Sequence, residues 1–192
     1  NDTKCTYGTG CFMLANTGKN RIDSDNGLIT TISCDKDGNP TYAIEGSVFI
    51  GGAVIQWLRD ELNLIKNAQE SEDIANSLNG NDGIYIVPAF TGLGAPYWNM
   101  ESKGTITGLT RGSNTKNLVR SALESIAFQV NDLIECLNND LKCEIKTLKV
   151  DGGATANNFL MQFQSDISKI NIQKPNNIES TALGAALLSG IG

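Results

Sequence analysis

The chain has 192 residues, of which 40% are hydrophobic and 19% are charged, a composition typical of a globular domain. Its net charge of −6 and its lack of a basic run argue against nucleic acid as the main partner. No apolar stretch reaches the roughly 20 residues that span a bilayer, so we expect no membrane partner either. The chain begins at Asn1 rather than at a methionine, which suggests a piece of a longer protein.

Histidine is absent from the sequence, and this limits the chemistry that the chain can perform. Without an imidazole, Ser-His-Asp and Cys-His nucleophile systems cannot form, and zinc sites are disfavoured. The residues therefore identify no nucleophile or general base, and we expect no metal site. The cysteines form no C-x-x-C pair, so we expect reduced, mostly packed side chains in a cytosolic protein. They are Cys5, Cys11, Cys34, Cys136 and Cys143.

The first third of the chain predicts strands separated by turns. A glycine turn at residues 7–10 leads into an apolar segment at 11–14. Strands are expected at 28–34 and 41–45, on either side of the hairpin residues 35–40.

In the middle of the chain, the spacing of the apolar residues changes from that of strands to that of helices. Apolar residues at helical spacing predict a helix over 52–62, and a shorter helix is expected over 71–78. Residues 84–90 then predict a buried strand, which leads into a glycine loop at 91–98 and a short strand at 106–109.

The last part alternates helices and strands. The strongest helical pattern covers 117–137, and a strand at 147–150 is followed by a glycine turn and a helix over 159–170. A strand near Ile172 and a last helix from Ser180 complete the pattern. Strands first and alternation afterwards predict one α/β domain with a mixed central sheet flanked by helices.

The turn around Gly8 and Thr9 is the first candidate site. Glycines on both sides of Thr9 allow main-chain N–H groups to converge on a phosphate, and the hydroxyl adds a donor. An ordinary hairpin turn explains the same residues. The sequence has no Walker P-loop and no Rossmann fingerprint.

Two glycine pairs, 51–52 and 152–153, stand at the starts of helices. Each is followed a turn later by an amide, Gln56 and Asn157 respectively. Glycine lets a ligand approach the main chain, a helix start offers unpaired N–H groups, and an amide can read a base edge or a ribose. Tight turns and a solvated Gln56 are the alternative.

Other polar and aromatic residues allow two interpretations each. Phe12 fits the core better than a ligand contact, while Tyr97 and Trp98 fit a recognition loop or a loop anchor equally well. Asp151 ends a buried strand, where capping of the following helix is the favoured explanation. Further acidic residues fit solvated helix faces: Asp60, Glu61, Glu70, Glu72 and Asp73.

Several segments together resemble one known family. They are YGTGCF (7–12), QWLRD (56–60), PAFTGLGAPYW (88–98), GTITGL (104–109), VDGGA (150–154) and NNFLMQFQ (157–164). In this order they are similar to the C-terminal domain of the FGGY carbohydrate kinases, and Cys11-Phe12 with the QWLRD segment resembles the glycerol kinases within that family.

The resemblance implies an actin-like ATPase domain of the ribonuclease H type that binds ATP or ADP. It implies that Gly8 and Thr9 hold the β- and γ-phosphate region and that Phe12 packs on the carbon side of glycerol. It also implies that Gly52 and Gln56 line the nucleotide cleft, and that ADP is held around its adenosine and α-phosphate by Gly153, Ala154 and Asn157.

The same resemblance implies what residues 1–192 lack. The family's catalytic aspartate precedes the Gly-Thr-Gly-Cys-Phe turn, and its Mg²⁺ ligands lie mainly in an N-terminal domain. We therefore expect a C-terminal domain that is inactive alone, with its own N-terminal domain, nucleotide and glycerol as partners. A cytoplasmic homo-oligomer is expected for the full-length protein. The alternatives are another polyol or pentulose kinase of the family, or a non-catalytic nucleotide-binding module.

Overall fold

The computed structural model describes residues 2–35 and 37–190. Its main sheet has six strands in the spatial order β3-β4-β2-β1-β7-β8, and β5 and β6 form a separate two-stranded sheet. The strands are β1 (Thr3–Tyr7), β2 (Cys11–Gly18), β3 (Ile29–Cys34), β4 (Pro40–Val48), β5 (Tyr85–Val87), β6 (Thr105–Thr107), β7 (Thr147–Asp151) and β8 (Asn171–Gln173). The helices are α1 (Ala53–Asp60), α2 (Glu70–Asn76), α3 (Thr115–Leu141), α4 (Asn158–Ser168) and α5 (Ser180–Ser189).

The main sheet is mixed, as the sequence predicted. Strands β1 to β4 pair antiparallel, whereas β7 lies parallel to β1 and β8 lies parallel to β7. The β1–β7 pairing aligns Cys5 with Val150 and Thr6 with Asp151. It therefore brings the turn after β1 next to the glycine pair after β7.

Helix α3 forms the centre of the core. Asn114 and Asn117 form a capping box at its start, which explains why the helix begins earlier than the sequence predicted. It crosses β4 at Gly46, where a Cβ atom would lie 2.9 Å from Leu133 Cδ2. Its buried residues belong to the same hydrophobic core as alternate residues of β2, including Met13. Close contact between helix and sheet at this point requires glycine.

The predicted buried strand at 84–90 is wrong in length. Only Tyr85–Val87 is a strand, and only its central residue is buried. The chain turns after Val87 because Pro88 offers no N–H, and Ala89 N instead donates to Val87 O at 2.9 Å. From the sequence we predict no strand at Thr3–Tyr7 and place only Tyr7 in a turn, so β1 is an element that we missed.

The cysteines are free in the part of the chain that the structure describes, but they are not uniformly packed. Cys5 and Cys11 are buried, whereas Cys34 and Cys143 are exposed. Burial raises the pKa of Cys11 to about 12, so its thiol stays protonated and is a poor nucleophile. None of the described helices is both long and apolar enough to cross a bilayer.

Candidate functional site

The start of α1 lies directly on the turn between β1 and β2. Gly51 N donates to Thr9 O at 2.8 Å, and Gly52 N donates to Gly8 O at 2.8 Å. A Cβ atom on Gly52 would lie 2.8 Å from the same Gly8 oxygen. A side chain at residue 52 would therefore push the helix off the turn.

The end of β7 contacts the same turn from the other side. Gly152 has φ +91°, and a Cβ atom there would lie 2.6 Å from Tyr7 O. This contact places a short 3₁₀ turn, Gly153–Ala156, beside Gly8. The Ala154 Cβ atom is 3.8 Å from the Cβ position at Gly52. The three glycine junctions seen in the sequence thus form one contiguous unit.

A cavity of about 280 Å³ opens between these junctions. All seven residues predicted for nucleotide binding line it, namely Gly8, Thr9, Gly52, Gln56, Gly153, Ala154 and Asn157. Leu123 and Ile126 of α3 and Leu160 of α4 add apolar surface. A Cβ atom on Gly153 would meet nothing within 4 Å, so the space beside this residue is open.

The two amides of the cavity differ. Gln56 is exposed on α1. Asn157 already caps α4, since its Oδ1 accepts from Leu160 N at 2.9 Å, and its Nδ2 donates to Ser71 Oγ at 3.2 Å. Gln56 is therefore free to turn towards a ligand, whereas Asn157 offers only its remaining amide hydrogen.

Helix α2 supplies a wall that sequence analysis missed. Ser71 and Glu72 line the cavity, although Glu72 was interpreted as part of a solvated face. Both carboxylate oxygens of Glu72 are engaged by Asn158, one by its main-chain N–H at 3.0 Å and one by its Nδ2 at 3.1 Å. No local pattern signals this role, because the partner lies in another helix far along the chain.

The charged side chains that line the cavity already have partners. Arg59 donates to both carboxylate oxygens of Asp60, at 2.6 and 2.7 Å, which lowers the pKa of Asp60. Glu72 is held by Asn158. At the turn itself Gly8 N already donates to Gly10 O at 2.9 Å, so the donors left there for an anion are the other main-chain N–H groups and the exposed hydroxyl of Thr9, a set that suits a phosphate.

Phe12 does not line the cavity. It is 51% exposed on β2, on the face opposite the buried Cys11 and Met13, so its interpretation as a core residue is wrong. It pairs with Thr6 and with Ser47 across the sheet. The side chain therefore stands on a sheet face that the described residues leave half open.

Tyr97 and Trp98 anchor their loop. The Trp98 Nε1 atom donates to Gly27 O at 2.6 Å, and its ring lies edge-on to Phe49 with centroids 6.2 Å apart. Tyr97 donates its hydroxyl to Asp132 Oδ2 at 2.9 Å. Partial burial and this carboxylate raise the pKa of Tyr97 to about 12. Of the two interpretations, the structure favours the anchor.

The sequence suggested that Asp151 caps the helix that follows it, but the structure shows no such cap. Asn157 caps α4, and the 3₁₀ turn has no side-chain cap. The Asp151 carboxylate instead pairs with Lys4 Nζ at 2.8 Å and accepts from Ser180 Oγ at the start of α5. Burial raises the pKa of Asp151, but hydrogen bonds from Lys4, Ser180 and Thr6 outweigh burial and hold it below its ordinary value.

Comparison with known proteins identifies the family. Residues 3–192 match the model of the FGGY family of carbohydrate kinases, C-terminal domain. Glycerol kinases from Clostridium botulinum and Shewanella amazonensis are 57% and 55% identical over 188 residues. These residues are 98% of this chain but 38% of each relative.

Solved structures agree with the sequence relatives. The crystal structure of Plasmodium falciparum glycerol kinase with ADP superposes with a TM-score of 0.88 at 41% identity, covering 98% of this chain and 38% of that one. A xylulose kinase from Lactobacillus acidophilus shares the fold, with a TM-score of 0.81 at 24% identity over 97% of this chain and 37% of that one. The expected actin-like ATPase fold is thereby confirmed. The chain belongs to the FGGY family of carbohydrate kinases and corresponds to the C-terminal domain of that family.

Proposed function

We propose that the chain is the nucleotide-binding domain of a glycerol kinase, which transfers a phosphoryl group from ATP to glycerol to give glycerol 3-phosphate. The observation that carries the proposal is the meeting of three separate glycine junctions around one cavity. The glycerol kinase relatives supply the reaction, and the structural neighbour that contains ADP supplies the class of ligand.

The cavity has separate surfaces for the two parts of a nucleotide. Gly8 and Thr9 face the region proposed for the β- and γ-phosphates, where main-chain N–H groups and a hydroxyl can bind an anion. Gly153, Ala154 and Asn157 are proposed to hold the adenosine and α-phosphate, since the space beside Gly153 is open. Gly52 and Gln56 are proposed to line the cleft between them.

Phe12 is proposed to contact the carbon side of glycerol. A half-exposed aromatic ring beside a turn of phosphate-binding type offers an apolar wall near the place where phosphoryl transfer would occur. The Phe12 Cε2 atom lies 3.5 Å from the Cβ position at Gly10, so the ring is close to that turn.

The reaction needs groups beyond this cavity. Glu72 is the carboxylate that lines it, and both its oxygens are occupied by Asn158, so we assign no proton acceptor here. No cluster of three metal-ligating side chains occurs within residues 2–35 and 37–190. We propose that an N-terminal domain, which the greater length of the relatives supports, supplies the aspartate base and the Mg²⁺ ligands.

Positioning is the contribution that this domain makes to catalysis in our proposal. ATP brings the phosphoryl group when it is bound, and main-chain donors of this chain hold its phosphates while the domains close and exclude water. The free cysteines support a reducing, cytoplasmic location.

We favour glycerol over a pentulose as the substrate because the glycerol kinases share more sequence identity with this chain. The glycerol kinases are up to 57% identical to this chain, whereas a xylulose kinase reaches 24%. A phosphorylation assay of the full-length protein with glycerol, xylulose and other polyols tests this choice. Preference for a pentulose would contradict it, and a folded protein without kinase activity would favour the non-catalytic module.

Nucleotide binding by this domain can be tested separately. Calorimetric titration of the 192-residue chain with Mg-ADP should show saturable binding, and glycerol alone should show none. Absence of ADP binding by a chain with native circular dichroism would contradict the assignment of the cavity to this domain.

A further inference from the structure

Arg120 lies outside the cavity yet contacts several elements that build it. Its Nε atom donates to Glu124 Oε1 at 2.7 Å, and its Nη1 donates to Ala75 O at 3.1 Å and also to Leu78 O. Its guanidinium carbon lies 5.0 Å from the centroid of the Phe159 ring. One side chain of α3 thus joins the end of α2 to the first turn of α4.

The C-terminal end of α2 needs such a partner. The last carbonyl groups of a helix have no intrahelical donors and carry the negative end of its dipole. Helix α2 has no basic residue in its own last turn. Arg120 provides both the positive charge and the N–H groups, and its planar fork can serve a carbonyl pair, a carboxylate and a ring at once.

Glu124 fixes the orientation of Arg120. The carboxylate is 4% exposed, and it accepts from Arg120 through one oxygen and from Asn81 Nδ2 at 2.8 Å through the other. The Arg120 side chain is itself only 12% exposed. This buried pair is held in one geometry, because separating the two side chains would leave a buried charge without its partner.

The other end of α2 is the wall of the cavity. Ser71 accepts a hydrogen bond from Asn157 Nδ2, and Glu72 accepts hydrogen bonds from Asn158. Because α2 has only seven residues, movement of its end at Ala75 is transmitted to Ser71 and Glu72. Arg120 therefore bridges the end of α2 and the capped start of α4, where Asn157 lies.

We propose that Arg120, held by Glu124, is a positioning residue for the nucleotide. It fixes the α2 wall against the start of α4 and touches neither nucleotide nor glycerol. This inference rests on the proposed function, and it assigns to a buried ion pair a role in nucleotide affinity rather than in stability alone.

The test uses the full-length protein and the mild variant Arg120→Lys, which keeps the charge but loses the planar fork. We expect the Kd for Mg-ADP and the KM for ATP to rise roughly threefold to tenfold. The kcat and the KM for glycerol should stay at wild-type values. Glu124→Gln should change the same constants in the same direction. Arg21→Lys is the matched control, because Arg21 forms an exposed pair with Asp23 outside the cavity.

Each outcome decides the matter. Unchanged nucleotide constants in folded Arg120→Lys protein overturn the inference. Binding of nucleotide and of glycerol that falls equally, and only in proportion to the folded fraction of the protein, also overturns it. Such a result indicates a role of Arg120 in stability alone. A wild-type protein that fails to bind Mg-ADP overturns the proposed function itself, and that failure is visible before any variant is made.

Discussion

Gly153 beside the cavity and Gly94 in the 91–98 loop use glycine for opposite purposes. Around the cavity, Gly153 faces open space, and a Cβ atom there would meet nothing within 4 Å. In the 91–98 loop, a Cβ atom on Gly94 would lie 2.2 Å from Ser47 O. Glycine leaves room for a ligand at Gly153 and for another chain segment at Gly94, as it also does at Gly52 and Gly152. The same residue type therefore predicts binding only where its surroundings stay empty.

The comparison predicts that Gly94→Ala damages folding most. The added methyl group would collide with the main chain of β4, which cannot move without breaking its pairing, so the free energy of unfolding should fall by about 3 kcal/mol. Urea denaturation measures the change. Gly80→Ala is the matched control, since a Cβ atom there meets nothing within 4 Å, and equal stabilities for the two variants would contradict the packing role of Gly94.

The opposite result is expected at Gly153. A carboxylate introduced by Gly153→Asp would point into open space, so the free energy of unfolding should change by no more than about 0.5 kcal/mol. Affinity for Mg-ADP should fall about 100-fold, because like charges placed together cost several kcal/mol. Calorimetry measures the affinity, and Gly153→Ala, which adds no charge, should lose much less. Wild-type affinity in the aspartate variant would place the phosphates elsewhere.

A smaller effect is expected in the loop anchor. Trp98→Phe keeps a ring against Phe49 but removes the hydrogen bond to Gly27 O, which should cost about 1 kcal/mol of unfolding free energy. Nucleotide affinity should not change. Trp57→Phe serves as the control, because the Trp57 indole has no hydrogen-bond partner among the described residues while its ring packs on Phe90. A loss of ADP binding in Trp98→Phe would contradict the prediction that this loop affects stability but not nucleotide binding.

The smallest effect is expected at Asp132, which supports the same loop through Tyr97. Burial and the nearby Glu135 raise the pKa of Asp132, although the hydrogen bond from Tyr97 opposes them. A raised pKa means that the folded state favours the protonated carboxyl, so this stabilisation is greatest below the ordinary pKa of aspartate and is lost as pH rises through the raised value.

Comparison of the wild type with Asp132→Asn over a series of pH values isolates that contribution. Unfolding free energies from urea should show the wild type losing stability relative to the variant as pH rises, by at most about 0.5 kcal/mol because the group is half exposed. A relative gain with rising pH would show that the Tyr97 hydrogen bond, rather than burial, controls the carboxyl.

The cavity could be predicted from sequence where its signal is local. Glycine pairs followed by an amide mark Gly52, Gln56, Gly153 and Asn157 within short segments, and the structure brings these positions together. The resemblance to a known family added the order of the segments. The mixed sheet could be predicted from the alternation of strands and helices along the chain. The long helix could be predicted from the helical periodicity of its apolar residues.

Other parts depend on contacts between distant residues. Glu72 has the pattern of a solvated helix face, and only the approach of Asn158 turns it into part of a wall. Phe12 continues an apolar strand, so the sequence favours burial, yet the described residues leave its face of the sheet uncovered. The Arg120–Glu124 pair has ordinary helical spacing, and nothing local distinguishes it from a surface pair.

The pairing of β1 with β7 also has a consequence for biosynthesis. Cys5 lies beside Val150, so nearly the whole domain must be synthesised before the central strands of the sheet can pair. Contacts that join such distant residues are slow to form because a long loop must close first. The Gly8 turn therefore acquires its Gly153 neighbour late. A nucleotide bound between them, as proposed above, would stabilise only chains in which both segments are in place, and so would favour finished over partly folded chains during translation.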